Sequence, residues 1–333
     1  MGKNASKEFS ESSVRISIAN CELRIANCER EFCRRTFFCV CLAIFAINFS
    51  FAQTINQPDY EFLANKINHG TTEQKRDALF QIRNLETPES SRIAVPALLD
   101  SSEIVRATAT FSVIFLPADE AAQNLLPLLN DKSELVRREA AYALGKTRSL
   151  LAVSPLIKKF QQEKIGDVRN ACVVAVGEIG DVSAIDFLTR ILQKKPKKED
   201  DANEFLRRSA ARSVGQIAQI IQTGNSEVFT PQNLLIKTGN NPPKIAARNY
   251  KNLAADFPVF GASVSALIQT LQNPNETDDT KRESAFALGA IGDASAVSAL
   301  QNNLNAADYY LAQICRESLA KISSAALQNR QIQ

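Results

Sequence analysis

One ten-residue pattern recurs along the chain, and this repeat constrains the fold more than any other feature of the sequence. Each clear copy has a basic residue at its second position, a small residue at its fifth and a glycine at its tenth. The clear copies are VRREAAYALG (136–145), VRNACVVAVG (168–177), LRRSAARSVG (206–215) and TKRESAFALG (280–289). Weaker copies at 74–83, 105–114 and 311–320 bring the number of units to seven. Such self-similarity is typical of folds that stack one structural unit.

The spacing of apolar and small residues predicts that each unit is a helical hairpin. In the first clear copy they fall at Val136, Ala140, Ala143 and Leu144, which is helical periodicity. A second amphipathic segment follows the glycine at 152–160, 184–192, 263–271 and 296–304. Because one hairpin cannot bury its own apolar faces, we expect stacked copies to form a continuous core. The predicted fold is an all-α, right-handed α-solenoid.

One unit contains an insertion between its two helices. Gly145 precedes Val153 by 8 residues, whereas Gly215 precedes Val264 by 49. The excess of 41 residues places the insertion at roughly 222–260. Loops of this length are usually functional or disordered. Aromatic residues among its turn formers, including Tyr250, favour an ordered segment.

The repeat resembles a known family. DKSELVRREAAYALG (131–145), followed by a second helix, is similar to the short HEAT-like repeats first associated with phycobilisome lyases. The resemblance covers approximately residues 70–325. It implies an α-solenoid, but it does not specify an activity, because such repeats occur in lyase subunits, scaffolds and transport adaptors.

Residues 1–52 have the features of a low-complexity leader that ends in a signal peptide. Arg34 and Arg35 precede an eleven-residue apolar run, 37–47, and Ser50 and Ala52 suit a cleavage site. We predict cleavage after Ala52, which leaves a mature solenoid domain of 53–333 that is periplasmic or secreted. The alternative is an uncleaved anchor, although a spanning helix needs about 20 apolar residues. After cleavage we expect no stable membrane span.

Composition argues against several classes of function. The chain has 39 Lys and Arg against 36 Asp and Glu, and without residues 1–52 the numbers are 32 and 31. This near-neutrality disfavours nucleic-acid binding. With one His and no Trp, histidine-based catalysis and imidazole metal sites are disfavoured, as is the iron-dependent hydroxylase activity of some HEAT-like relatives, which needs repeated His-Glu pairs. We therefore predict no catalytic residue, cofactor or metal.

Two glycine motifs could be mistaken for phosphate-binding loops. VGEIGD (176–181) recurs as LGAIGD (288–293), and a structural joint recurs where a ligand loop would be singular. We expect Gly177 to end a helix, Gly180 to lie in a turn and Asp181 to cap the next helix.

Two ladders of equivalent residues could bind a partner. The basic residues Arg137, Arg169, Arg207 and Lys281 are predicted to pair with acids such as Asp131, Glu134 and Asp167 in their own or neighbouring units. On the polar side of the second helices, the equivalent positions hold Lys158, Arg190, Gln269 and Asn302. We expect the second helices to line the concave surface, so these four residues, together with Tyr250 of the insertion, are the candidate partner-binding residues.

These observations predict a non-enzymatic, exported scaffold that binds a protein partner of unknown identity through its concave face and the 222–260 insertion. The alternative is a lyase-like or chaperone subunit that acts on a cofactor-bearing protein.

Overall fold

The computed structural model of the protein describes residues 59–194, 201–224 and 250–331, and these residues form helices and turns without a strand. An initial helix, α1 (Tyr60–His69), packs against the helices that follow it. Every copy of the repeat then begins with a helix that we call a first helix. The seven first helices are α2 (Thr72–Leu85), α4 (Glu103–Ser112), α6 (Glu134–Thr147), α8 (Gly166–Ile179), α10 (Asp201–Thr223), α13 (Asp278–Ile291) and α15 (Tyr309–Gln331).

A second helix follows each of the first six first helices. The second helices are α3 (Pro88–Ala94), α5 (Ala118–Leu125), α7 (Val153–Gln162), α9 (Ile185–Leu192), α12 (Phe260–Gln272) and α14 (Val297–Gln301). Short 3-10 helices adjoin five of them, at Val95–Leu99, Leu126–Asn130, Leu150–Ala152, Val182–Ala184 and Ala294–Ala296. A four-residue helix, α11 (Leu253–Asp256), precedes α12. The hairpins predicted from the sequence are therefore confirmed.

The first helices form one continuous row in which each packs on the next, in chain order from α2 to α15. Their buried apolar residues and those of the second helices form one core cluster. The all-α solenoid predicted from the sequence is confirmed, and its right-handedness stays a prediction. The predicted leader and signal peptide lie outside the described residues. Among the helices that the structure describes, none has the length and apolar character to cross a membrane.

Glycine permits the close approach of consecutive first helices. A Cβ added to Gly177 of α8 would lie 2.8 Å from the Cα of Ser213 in α10. One added to Gly289 of α13 would lie 2.7 Å from the Cα of Ser318 in α15. Both distances are shorter than any ordinary carbon contact. The terminal glycine of the repeat is therefore required by helix packing.

The serines opposite these glycines tie the row together. The Ser213 hydroxyl donates to the carbonyl oxygen of Val173 at 3.0 Å, and the Ser318 hydroxyl donates to that of Ala285 at 2.8 Å. Each hydroxyl is buried and would be costly to leave unpaired. Since each bond reaches from one first helix to the preceding one, it fixes the register between neighbouring units.

The expected role of Gly177 at the helix end was wrong. α8 continues to Ile179, and the residue that ends it is Gly180, which adopts a left-handed conformation with φ of 84°. Asp181 then caps the following turn by accepting from the Ser183 N–H at 3.0 Å, as predicted. The second motif has the same joint, in which Gly292 has φ of 79°. The two motifs are helix joints, and the phosphate-loop interpretation is excluded by their place at helix C-termini.

Five of the six hairpins that the structure describes are closed by an ion pair that we call a rung. A basic residue in the first turns of the first helix pairs with an acid in the turn that follows the second helix. Arg106 binds Asp131 through two hydrogen bonds of 2.8 Å, and Arg137 binds Glu163 at 2.8 and 3.2 Å. The other rungs are Lys75–Asp100, Arg207–Glu276 and Arg282–Asp308.

The rungs confirm structural pairing for Arg137 and Arg207, two of the four residues of the basic ladder, and correct its details. Asp167, the expected partner of Arg169, lies 3.9 Å from Arg138 instead. Arg137 donates to the carboxylate of Glu163, and it donates to the backbone carbonyl oxygen of Asp131 rather than to the Asp131 side chain. In the last hairpin the rung residue is Arg282, so the register is shifted by one from the predicted Lys281. The rung Arg207–Glu276 is the most deeply buried, with 4% and 2% of the side chains exposed.

The acids of the rungs also organise the turns. Asp131 accepts from the Ser133 N–H at 2.8 Å, and Glu163 accepts from the Ile165 N–H at 3.1 Å. Burial alone would raise the pKa of Glu163, but hydrogen bonds from Arg137 and Lys159 outweigh it and lower the pKa to about 2. The carboxylate is thus ionised throughout the neutral range, and the rung persists there.

The pKa of a second buried carboxyl, that of Glu283, is raised and not lowered. Glu283 of α13 faces Arg208 and Arg212 of α10 and lies near Asp279 and Arg282 of its own helix. Burial dominates, and it raises the pKa of Glu283 to about 7 although Arg212 and Arg208 oppose it. One of its carboxyl oxygens, Oε2, is buried without a hydrogen-bond partner.

Replacement of Gly177 by Ala should destabilise the fold by about 1–3 kcal/mol, because the new methyl group overpacks the contact with Ser213. Gly166, in the first turn of the same helix, is the matched control, since nothing lies within 4 Å of a Cβ added there. Gly166→Ala should leave stability within about 1 kcal/mol of the wild type or raise it. Urea unfolding of both variants measures the difference, and equal stabilities would contradict the packing role of Gly177.

Glu283→Gln should stabilise the protein more at pH 8 than at pH 4.5. The folded-state pKa lies above the unfolded value, so the wild type loses stability as pH rises from about 4.5 through 7, whereas glutamine does not titrate. Thermal unfolding of wild type and variant over this pH range gives the difference in Tm. A difference independent of pH would contradict the raised pKa.

Candidate partner-binding surface

The four residues predicted on the second helices lie on one exposed ladder. Lys158 is on α7, Arg190 on α9 and Gln269 on α12, and Asn302 directly follows α14. All four are exposed, and the apolar residues of the same helices face the core. The structure therefore brings these residues to equivalent places on consecutive second helices. We call this exposed side of the second helices the B face.

Contacts between second helices hold the B face together. The ring of Phe160 in α7 meets that of Phe187 in α9 edge-to-face, with centroids 5.0 Å apart. Thr189 of α9 and Ser263 of α12 share a buried hydrogen bond of 2.6 Å. This bond joins the hairpin α8–α9 to the hairpin α10–α12, which contains the insertion, so the ladder continues past it.

Lys158 lies in the wall of a groove. The groove has a volume of about 530 Å³ and runs between α7 and the 3-10 helix Leu126–Asn130. Its lining is mixed: the apolar residues are Leu126, Leu129 and Pro155, and the polar ones are Asn130, Ser154, Lys158, Lys159 and Gln162. A groove with both kinds of lining suits an extended segment that offers apolar and polar groups.

The cations of the ladder are available for contacts. Neither Lys158 nor Arg190 forms an ion pair within the described residues, and the one hydrogen bond of Arg190 goes to the backbone carbonyl of Asp186 at 3.3 Å. The neighbouring Lys159, by contrast, binds Glu163 at 3.0 Å. The middle of the B face therefore presents two positive charges that have no ion-pair partner among the residues that the structure describes.

The B face carries a second ladder of equivalent residues that was not predicted from the sequence. Three residues beyond each member of the first ladder stands an exposed amide side chain. These residues are Gln161, Gln193, Gln272 and Asn305. An amide offers both a donor and an acceptor, which matches the polar groups of a peptide main chain. Extending the alignment by one helical turn would have found them.

Tyr250 does not belong to the surface. It is only 5% exposed, and its ring lies 5.5 Å from Nζ of Lys321 in α15, the last first helix. The adjoining residues are also anchored, since Gln222 of α10 accepts from the Lys251 N–H and Asn252 bonds Asp293. We therefore withdraw Tyr250 from the candidate residues, because this end of the insertion packs against first helices.

Most of the insertion, residues 225–249, lies outside the described residues. Its described flanks are structural, because Leu253 and Phe260 are fully buried in the core. The flanks also present exposed residues, among them Lys251 and Asp256, so the role of 222–260 in binding stays a prediction.

The described parts of the chain contain no cluster of three or more His, Cys, Asp or Glu side chains that could hold a metal ion. Cys172 and Cys315 are buried, and burial raises the pKa of each thiol to about 12. Such thiols are not nucleophilic at neutral pH.

Family models match parts of the repeat region. The model described as HEAT repeats matches residues 92–171 and 123–215, and the model described as PBS lyase HEAT-like repeat matches 280–306. The first helices α6 and α8 lie entirely in these ranges. HEAT-like repeats are therefore present over 92–215 and 280–306 of the chain. A comparison with the curated proteins found no match.

Several solved structures resemble the chain at low identity. The complex of CpcE and CpcF of phycocyanin lyase from Nostoc sp. PCC7120 is 17% identical, with 83% of this chain and 95% of that chain covered and a TM-score of 0.43. Human deoxyhypusine hydroxylase is 17% identical, with 80% and 96% covered and a TM-score of 0.34. A designed armadillo repeat protein is 15% identical, with 78% and 98% covered and a TM-score of 0.34.

Proposed function

We propose that the protein is a non-enzymatic scaffold that binds a segment of a partner protein along its B face, and that it is exported to do so. The exposed ladder Lys158, Arg190, Gln269 and Asn302 supports this proposal more than any other observation. A stack of packed hairpins presents these side chains without refolding, so binding orders few groups on the scaffold side.

The chemistry of the B face favours a protein segment as the ligand. Its amide ladder is uncharged and suits the donors and acceptors of a main chain. The two cations that have no ion-pair partner among the described residues add a preference for acidic side chains near Lys158 and Arg190. A nucleic acid would need many more cations along its path than these two.

The double variant Lys158→Glu/Arg190→Glu should weaken partner binding at least about tenfold, which corresponds to about 1.4 kcal/mol. Cross-linking of the native protein followed by mass spectrometry identifies the partner, and Kd is then measured with purified proteins. Lys132→Glu/Lys164→Glu is the matched control, since both lysines are exposed in turns outside the second helices. Equal Kd values for the two double variants would refute the B face as the binding surface.

Deletion of 225–249 tests the proposed contribution of the insertion to binding. The deletion should keep Gln222, Tyr250 and Phe260, whose contacts anchor the flanks. A short Gly-Ser linker then connects residue 224 to residue 250. We expect helix content by circular dichroism to be retained and partner capture to fall. Full capture by a folded deletion variant would remove the insertion from the proposal.

Export is a separate part of the proposal. It is supported by the arginine pair, apolar run and small residues that precede Gln53 in the sequence. Cell fractionation combined with mass spectrometry of the mature N-terminus tests it. Retention of an intact residue 1–52 segment in the cytoplasm would contradict it.

The alternative function is a lyase-like or chaperone subunit that acts on a cofactor-bearing protein. The match of residues 280–306 to the PBS lyase HEAT-like repeat favours it. Co-expression with a candidate client would then give a chromophore or a mass shift on that client. A client of unchanged mass and colour would count against this function.

A further inference from the structure

A second groove lies on the first helices near the start of the solenoid. It has a volume of about 230 Å³ and is formed by α2, α4 and α6. We call it the first-helix groove. Its lining includes the apolar residues Phe80, Ile104, Phe111 and Leu135 and the charged residues Arg83 and Glu139. All of its lining residues belong to first helices, so it is separate from the B face, which second helices form.

The first-helix groove leaves apolar side chains in contact with solvent. Phe80 is 46% exposed and Ile104 is 44% exposed, while Phe111 and Leu135 are half-buried. Adjoining exposed apolar side chains mark interaction sites, whereas isolated ones need no explanation. Pockets for drug-sized molecules begin at roughly 300 Å³, so this smaller groove suits one or two side chains of a protein segment.

The stacking of the units does not require an apolar wall here. Ile104 of α4 and Leu135 of α6 each directly precede the first residue of a repeat copy. The equivalent residues of α8 and α13 are Asp167 and Asp279, and both helices pack in the same row. The apolar wall therefore ends at α6, and its exposed residues are free to serve binding.

A cation adjoins these apolar side chains. The guanidinium of Arg83 lies over the ring of Phe111, 5.2 Å from its centroid, and the exposed side chain forms no ion pair within the described residues. Glu139, the other charged lining residue, is paired, because Nε and Nη2 of Arg138 donate to its Oε1 at 3.0 and 2.9 Å. A ligand that complements the groove therefore carries a negative charge close to an apolar group.

Stacking orients Arg83 for a carboxylate. A guanidinium presents a planar fork of donors that matches the two oxygens of a carboxylate. The ring beneath it favours the stacked arrangement and leaves the edge of the fork open to a ligand. Because Phe111 also lines the groove, a carboxylate on Arg83 would lie beside the apolar side chain that fills it.

We propose that the first-helix groove binds a segment of a partner protein that places an apolar side chain against Ile104, Phe111 and Leu135 and a neighbouring Asp or Glu on Arg83. The inference goes beyond the proposed function, because it gives the protein a second binding surface on other helices. It stands or falls independently of the B face.

The first test uses a rhodamine-labelled peptide in which Glu-Leu-Phe-Glu is flanked by Gly-Ser residues. One reference peptide replaces both Glu by Gln, and the other replaces Leu and Phe by Ser. Anisotropy is measured in about 0.15 M salt, where exposed charges farther apart than about 8 Å are largely screened. The wild type should bind the probe at least about fivefold more tightly than either reference. Equal affinity for the probe and either reference would overturn the proposal.

Ile104→Asp tests the apolar wall. It gives α4 the residue that α8 carries at this place, and an acid in the first turn suits a helix N-terminus. The variant should weaken probe binding at least about tenfold, whereas Ile165→Asp, at an exposed isoleucine directly before α8, should change Kd less than about twofold. Equal Kd values for the two variants would overturn the proposal. Phe80→Ser on α2 is the second groove variant and should weaken binding in the same way.

Arg83→Gln tests the recognition of the carboxylate. It should weaken binding of the probe at least about fivefold and binding of the Gln reference less than about twofold, because only the probe offers carboxylates. Equal weakening of both peptides would overturn the role of Arg83. Since the substitution breaks no ion pair among the described residues, the variant should melt within about 2 °C of the wild type.

Two measurements identify the occupied surface. Lys158→Glu/Arg190→Glu should change the Kd of the probe less than about twofold; loss of binding would place the probe on the B face and overturn this inference while leaving the proposed function intact. Sedimentation velocity should give the same oligomeric state for the wild type and Ile104→Asp. A wild-type dimer that Ile104→Asp dissociates would assign the groove to a second copy of the chain and overturn the proposal.

Discussion

The close contact between consecutive first helices is the constraint on which the rest of the structure depends. At Gly177 and Gly289 the neighbouring helix passes where a side chain would stand, and Ser213 and Ser318 use this proximity to bond the preceding helix. Such contacts fix the distance and the register between units. Without them the apolar faces could still collapse, but many sliding arrangements would be similar in energy.

The rungs act on the other end of five of the six described hairpins. A rung joins the start of a first helix to the turn after its second helix, and its acid also accepts backbone N–H groups of that turn. Since buried ion pairs rarely add much net stability, their clearest consequence here is specificity, because the angle between two hairpins is set by the turn. The carboxylate of Glu163, with its pKa near 2, holds such a turn at any neutral pH.

The sequence predicted the seven first helices because apolar periodicity and small residues recur in every copy. It did not predict the function of individual residues as well. Gly177 was placed at a helix end, since nothing in one chain segment indicates that Ser213 of another will pass it so closely. Likewise the rung partner of Arg137 is Glu163, although Asp131 is nearer in sequence.

The candidate surface was predictable to the extent that it follows the repeat. Lys158, Arg190, Gln269 and Asn302 are exposed as expected, because helical periodicity alone decides which side of a second helix faces the core. Tyr250 lies in an insertion without a repeat to guide the prediction, and its burial against Lys321 depends on contacts distant in sequence.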